Sequence, residues 1–208
     1  MSTIRIQSVH DPFNVPGVAR LAVITIERAE AMGLLSEKEA IDRLDFEVFQ
    51  RVAKRIAKAG IGPGLVADFN GPGGRDPGRL PALLEKLNDA LEESPTPQHE
   101  WPRLIEILGV EALTGLLGIS ASSVRRYKAH ARATPDEVAA RLHFLAMLVS
   151  DLAGAYNEIG IRRWFDRKRK LLGDRSPAEV LTGAWRPEDS GPAQIRQLAR
   201  SLAASPAT

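Results

Sequence analysis

Serine and basic residues lie close together in one short stretch of the second half of this chain, and both residue types bind anionic groups. The candidates are Ser120, Ser122, Ser123, Arg125, Arg126, Lys128 and Arg132. In a helix that begins near residue 121, hydroxyls and free backbone N–H groups of the first turn can hold a phosphate. Arg125 or Arg126 could donate two hydrogen bonds to guanine, worth ~1–3 kcal/mol in discrimination between bases, while Lys128 and Arg132 suit phosphates. The stretch therefore predicts contact with nucleic acid.

The residues around this stretch have the spacing of a helix-turn-helix. Two short helices that pack across a tight turn need apolar side chains facing the joint, and the candidates are Leu113, Leu117, Ile119, Val124 and Tyr127. Thr114 is small enough for the helix crossing, Gly118 can adopt the positive φ of the turn, and Ser120 can cap the second helix. The pattern predicts that the second helix enters the major groove of DNA. The alternative is that residues 118–120 join two ordinary helices whose arginines face solvent.

The second half of the chain is interpreted as almost entirely helical. The predicted helices cover residues 102–108, 110–117, 121–131, 135–159, 161–165, 177–182 and 192–203. Thr134 is a natural N-cap for the long helix, and Pro135 suits its first position. A stripe of apolar residues predicts that this helix faces a core or a dimer interface. His143 on the same helix is interpreted as a packed or surface residue.

The first half carries weaker signals. Residues 4–10 alternate loosely, as a short strand would, and a helix is predicted from Pro16 to Gly33. Ser36 and Glu39 have the spacing of a capping box, so a second helix is predicted to begin there and to end at Gly60.

Glycine and proline are dense over residues 60–80, which predicts a linker without regular structure. A short leucine-rich helix is predicted at 80–91, and the prolines near 95 predict a domain boundary near residue 98. The predicted fold class is therefore all-α, for the most part. The expected regions are an N-terminal helical region of unknown role, a helix-turn-helix with a long helix, and a small C-terminal helical domain: 1–98, 99–160 and 161–208.

Composition limits the classes of function. The chain has 208 residues, of which 44% are apolar and 26% charged, so it can build a packed core. It has no cysteine, which excludes disulfides, thiolate zinc sites and cysteine nucleophiles. No signal peptide and no apolar run of the ~20 residues that span a bilayer is recognised, so a cytoplasmic protein is expected. Residues 101–208 carry the excess of basic residues, so a polyanion is expected to meet that half.

The residues after Ile161 resemble a known family. Trp164-Phe165, Leu172-Gly173 and Ser176-Pro177-x-Glu179-x-Leu181 follow in an order similar to the toxin-binding domain of the Xre/MbcA/ParS antitoxins. The resemblance covers about residues 102–203 and includes the position of the helix-turn-helix. It implies a two-gene module whose partner is usually a RES-domain toxin that consumes NAD. It also implies a homodimer or a larger toxin–antitoxin assembly that represses its own promoter.

The resemblance also implies which residues face the toxin. They are Trp164, Arg167, Lys168, Arg169, Lys170, Trp185, Gln194, Arg196 and Arg200. The basic run at 167–170 has three interpretations. It could be a solvated face, a contact to DNA phosphates or a surface that steers an acidic toxin toward the chain.

An enzyme is the first alternative, and the sequence offers no catalytic residues, cofactor or metal site for one. The four histidines lack metal-ligand spacing, and the glycine-rich stretch lacks the motifs of a phosphate loop or a dinucleotide fold. A stand-alone helix-turn-helix regulator without a toxin partner is the second alternative. A structural protein that binds DNA with little sequence preference is the third.

Overall fold

The computed structural model describes residues 4–35 and 41–204 of the chain. The chain divides after Ser94 into two compact units, an N-terminal unit, Ser2–Ser94, and a C-terminal unit that begins at Pro95. The expected boundary lay near residue 98. Residues 99–160 and 161–208, which were expected to be separate regions, belong to the same C-terminal unit.

The N-terminal unit combines helices with one small parallel sheet. Its elements in chain order are β1 (Ile4–Val9), α1 (Pro16–Ala31), β2 (Ile41–Leu44), α2 (Phe46–Lys58), α3 (Pro63–Asn70), a 3-10 turn (Pro72–Arg75) and α4 (Leu80–Glu93). β1 and β2 pair in parallel. α1 packs against α4, and the buried Arg28 joins them by donating to the Asn88 carbonyl at 2.7 Å and to the Glu92 carboxylate at 2.8 Å.

The prediction of one helix from Ser36 to Gly60 is wrong for part of its length. Ser36 and Glu39 lie outside the described residues, and residues 41–44 of the predicted helix form β2. α2 begins at Phe46 because the Asp45 carboxylate caps it, accepting from the backbone N–H of Val48 at 2.8 Å. Ile41 and Leu44 are the two buried residues of β2 and are three positions apart. Apolar residues on one face of a helix have the same spacing, so the sequence pattern indicated a helix.

The prediction of an unstructured linker at residues 60–80 is also wrong. α3 forms there because its apolar residues have a partner: Phe69 is buried, and its ring centroid lies 5.1 Å from that of Phe46 and 4.8 Å from that of Phe49. Gly74 lies directly on this helix, since a Cβ at that position would come within 1.8 Å of the Phe69 carbonyl oxygen. Here a glycine reflects close packing instead of a flexible connection.

The C-terminal unit is helical throughout its described length. Its elements are α5 (Pro97–Leu108), α6 (Val110–Leu117), α7 (Ala121–Lys128), α8 (Asp136–Ala153), α9 (Glu158–Asp166), a 3-10 turn (Lys170–Leu172), α10 (Pro177–Val180) and α11 (Ser190–Ala204). The predicted all-α fold class is confirmed, since eleven α-helices and a single two-stranded sheet make up the regular structure of residues 4–35 and 41–204. The helix predicted at 135–159 is shorter, since α8 ends at Ala153, and its N-cap is Pro135 instead of Thr134. The helix predicted at 161–165 is α9, which begins at Glu158 because Asn157 caps it, accepting from the Gly160 N–H at 2.8 Å.

α8 is the central helix of this unit. Every residue from Arg141 to Ser150 is buried, so all of its faces are covered instead of the one stripe that was predicted. Helices α5, α6, α9 and α11 pack around it. His143 faces α5, where its Nδ1 lies 2.6 Å from a carboxylate oxygen of the fully buried Glu100.

Among the described helices, none is by itself both long and apolar enough to cross a lipid bilayer.

Candidate nucleic-acid interface

α6 and α7 are two eight-residue helices joined by Gly118, Ile119 and Ser120. Gly118 has φ 65° and ψ 34°, the left-handed conformation that glycine adopts without strain. The N–H of Ile119 donates to the Thr114 carbonyl at 3.2 Å, and the N–H of Gly118 donates to the Gly115 carbonyl at 3.4 Å. This pair of bonds is a Schellman motif, which ends α6 and turns the chain toward α7.

The inner face of α7 is fixed by apolar contacts. Leu113, Leu117 and Val124 are fully buried at the joint between α6 and α7. The Tyr127 ring stacks on Trp101 of α5, with centroids 5.8 Å apart and planes inclined by 26°. α7 is therefore held against both α5 and α6, and its opposite face points to solvent.

The N-terminus of α7 presents three hydroxyls. The Ser120 hydroxyl caps the helix, accepting from the Ser123 N–H at 3.2 Å. It also lies 2.9 Å from the hydroxyl of Ser122 and 3.0 Å from that of Ser123. Hydroxyls and free N–H groups thus converge at the positive end of the helix dipole, where an anion is stabilised.

The outward face of α7 is cationic. Arg125, Arg126 and Lys128 are exposed, and the Nε atoms of Arg125 and Arg126 donate to the carbonyls one turn earlier, each at 3.3 Å. These bonds hold the two guanidinium groups against the helix and leave their terminal nitrogens available. Within the described ranges, none of these three side chains forms an ion pair, and residues 112–135 contain no aspartate or glutamate.

Arg132 lies outside the helix on which it was expected to extend the basic face. α7 ends at Lys128, and the chain passes through His130 with φ 54° before α8 begins. Arg132 is exposed on this connection. It could contact nucleic acid from beside the end of α7.

The basic run at 167–170 is the first part of an ordered turn at residues 167–175. The N–H of Arg169 donates to the Arg175 carbonyl at 3.0 Å, and Gly173 and Asp174 adopt positive φ at its tip. Arg167, Lys168 and Lys170 of this turn are exposed. Arg169 instead lies over the Trp164 ring, with its guanidinium carbon 4.8 Å from the ring centroid, and desolvation by burial lowers the pKa of Arg169.

Two residues expected to face the toxin are buried, which corrects that expectation. Trp164 is 2% exposed and packs edge-on against Phe165, and Trp185 is 4% exposed and packs edge-on against Phe144. Both indoles fill the core of the unit, so neither can touch a partner in this conformation. The large aromatic side chains that mark the motif are core residues.

The remaining expected toxin contacts lie on α11. Gln194 is exposed. Arg196 and Arg200 each place Nε 3.6 Å from a carboxylate oxygen of Asp151 on α8, so their charges contribute to packing within the unit.

Two residues that contact the turn between α6 and α7, Trp185 and Arg141, were not identified as such from the sequence. Trp185 donates from its indole nitrogen to the Leu116 carbonyl at 2.8 Å. The buried Arg141 donates to the carbonyls of Leu117 and Trp185 at 3.2 and 2.7 Å. An arginine in the middle of an apolar helix was the available signal, because a buried charge needs specific partners.

A groove of about 880 Å³ lies beside α6, between α9 and α10. Its polar lining includes Glu111, Arg162, Asp166 and Glu179. A hydrogen bond from the backbone N–H of Ser176 lowers the pKa of Glu179, which keeps this carboxylate ionised in the capping box of α10.

No family model, no curated protein and no solved structure matches this chain. In residues 4–35 and 41–204, no three histidine, aspartate or glutamate side chains come together as a metal site requires.

Proposed function

We propose that this chain is a cytoplasmic, sequence-specific DNA-binding protein that acts as the antitoxin of a toxin–antitoxin module. The observation that carries the DNA-binding part is the outward face of α7, where exposed cations that form no ion pair among the described residues follow a cluster of hydroxyls. The helix-turn-helix geometry supports insertion of α7 into the major groove.

Each group on this face has a proposed role. The hydroxyls of Ser120, Ser122 and Ser123 and the free N–H groups beside them bind one phosphate. The terminal nitrogens of Arg125 and Arg126 read guanine, since their Nε atoms are already bonded to the helix. Lys128 and Arg132 bind flanking phosphates.

The antitoxin role is supported by the resemblance of residues 161–181 to the toxin-binding domain. With the two tryptophans in the core, the proposed toxin surface consists of the exposed side chains of the turn at 167–170 and the exposed face of α11. The partner we propose is a RES-domain toxin that consumes NAD, bound by a homodimer. A stand-alone regulator that uses the same DNA-binding face is the alternative.

The DNA-binding proposal is tested with the duplex that the full chain selects from a random library. The double variant Arg125→Ala plus Arg126→Ala should bind this duplex no better than a shuffled one in fluorescence anisotropy. The control Arg20→Ala plus Arg51→Ala removes two exposed arginines of the N-terminal unit and should bind as the unmodified chain does. Equal discrimination in all three proteins would refute α7 as the recognition helix.

The antitoxin proposal is tested by co-purification with the product of the adjacent gene. A stable complex that suppresses NAD consumption by that product supports it. If no complex forms and sequence-specific DNA binding is intact, the stand-alone regulator is the correct function.

A further inference from the structure

α6 ends at the turn that leads into α7. Each of the last four backbone carbonyls of α6 accepts a hydrogen bond. A helix leaves these four groups without partners inside the helix, so something else must satisfy them. The carbonyls of Thr114 and Gly115 accept from the backbone of the turn itself. Those of Leu116 and Leu117 accept from side chains that lie far away in the sequence.

These two donors, Arg141 and Trp185, form one connected network. Trp185 bonds to Leu116, Arg141 bonds to Leu117, and Arg141 also donates to the backbone carbonyl of Trp185. Arg141 is 9% exposed and Trp185 is 4% exposed. Water therefore has little access to these carbonyls, and the loss of either donor would leave a buried acceptor unpaired. We call these residues and their three bonds the Arg141–Trp185 network.

The backbone beside this network also approaches the turn closely. A Cβ at Gly118 would lie 3.0 Å from the carbonyl oxygen of Gly183. Both glycines have positive φ, 65° and 84°. The segment between α10 and α11 therefore packs directly against the turn that joins α6 to α7.

We infer that Arg141 and Trp185 are positioning residues for DNA recognition, because they fix the start of α7 relative to the core. This inference rests on the proposed DNA-binding function. α7 is held at its C-terminal end by the stacking of Tyr127 on Trp101. The Arg141–Trp185 network holds the other end, through a turn of three residues that transmits any displacement of α6 to Ser120.

Loss of the network should affect base recognition more than general affinity. A bidentate contact to guanine depends on the angle at which an arginine reaches the base edge, whereas a phosphate contact tolerates movement because it is mainly a charge interaction. The expected result is a loss of about tenfold or more in discrimination between specific and shuffled DNA. Affinity for the shuffled duplex should change little.

The chain offers a matched pair of substitutions for the test. Trp185→Phe keeps a buried aromatic ring and removes the N–H that bonds to Leu116. Trp164→Phe makes the same change at an indole that is equally buried and whose N–H has no hydrogen-bond partner among the described residues. The comparison separates loss of the bond from loss of ring volume.

Three quantities are measured on the full chain: affinity for the selected duplex, affinity for a shuffled duplex, and hydrogen exchange at the amides of Gly118 and Ile119. Trp185→Phe should lose discrimination and exchange faster at these amides, while Trp164→Phe should do neither. Arg141→Lys keeps the charge but replaces the two separately placed donor nitrogens of the guanidinium by one, so it should repeat the result. It replaces Trp185→Phe if that variant does not fold.

Full discrimination in Trp185→Phe and Arg141→Lys, or unchanged exchange at the two amides, would overturn the inference. An unmodified chain that shows no preference among DNA sequences would overturn the proposed function and this inference with it. The first failure is seen only in the variants and the second already in the unmodified protein, so the two are distinguishable.

Discussion

Removal of the two cations that are proposed to bind phosphates beside the end of α7 should change the salt dependence of DNA binding by a calculable amount. Lys128 is the last residue of α7, Arg132 follows on the connection to α8, and both are exposed. Each phosphate contact contributes about 0.9 to the slope of log K against log salt concentration. The double variant Lys128→Gln plus Arg132→Gln should therefore have a slope shallower by about 1.8 for each bound chain.

This difference in slope corresponds to a large difference in how strongly salt weakens DNA binding by the two proteins. Between about 50 and 200 mM salt, the affinity of the unmodified chain should fall about twelvefold more than that of the double variant. Discrimination between the selected and shuffled duplexes should be retained, because Arg125 and Arg126 are intact. Fluorescence anisotropy over that salt range measures both quantities.

A matched control is available on α2, where Lys54 and Lys58 are exposed. Lys54→Gln plus Lys58→Gln removes the same charge from the N-terminal unit and should leave the slope unchanged. An equal change of slope in both double variants would show that net charge alone is responsible. An unchanged slope in Lys128→Gln plus Arg132→Gln would refute the assignment of these residues to phosphates.

Three further predictions concern stability, pH and the partner. Ile195 is fully buried on α11, so Ile195→Ala should lower the free energy of unfolding by ~2–5 kcal/mol in urea denaturation. Gln197→Ala, on the exposed side of the same helix, should change the free energy of unfolding little. Equal effects of the two substitutions would contradict the packing of α11 on α8. Because folding lowers the pKa of Glu179, its ionised form stabilises the fold above the ordinary value of 4.5, and this contribution is lost as the pH falls through the lower folded value. Glu179→Gln should therefore weaken the acid dependence of stability measured by denaturation across that range, and an identical acid profile would argue against the capping box. Lys168→Gln plus Lys170→Gln should slow association with the proposed toxin at low salt, measured by surface plasmon resonance, without changing DNA discrimination. Unchanged association rates would remove the turn at 167–170 from the proposed toxin surface.

Some features that depend on residues close in sequence were predictable, although the Thr134 cap predicted for the long helix was wrong. The Ser120 cap and the positive φ at Gly118 both appear in the structure. Each is a local hydrogen-bonding or backbone preference that acts within four residues. Such preferences are readable because neither partner has to be found elsewhere in the chain.

Features that depend on distant partners were not predictable. β2 could not be recognised because its pairing with β1 spans a long separation and its buried residues have helical spacing. α3 contains glycine and proline, and it is stabilised by packing of Phe69 on α2. Tertiary contacts override local propensity in both cases.

The candidate interface was likewise predictable in its local features and not in those that depend on distant residues. The outward residues of α7 were identified from their types and spacing, whereas the residues that orient α7 were not. Trp185 was assigned to a partner surface because the family resemblance implied it, and tryptophan is common both at interfaces and in cores. Its partners, Leu116 and Arg141, lie more than 40 residues away.

The central claim is that α7 and the residues beside it contact DNA. The most direct measurement is an amide-resolved NMR titration of the full chain with the duplex that it selects. Our account predicts that the largest shift changes fall on residues 120–132, with smaller changes at Leu116 and Leu117. Shift changes concentrated in the N-terminal unit, or absent from residues 120–132 at saturation, would contradict it.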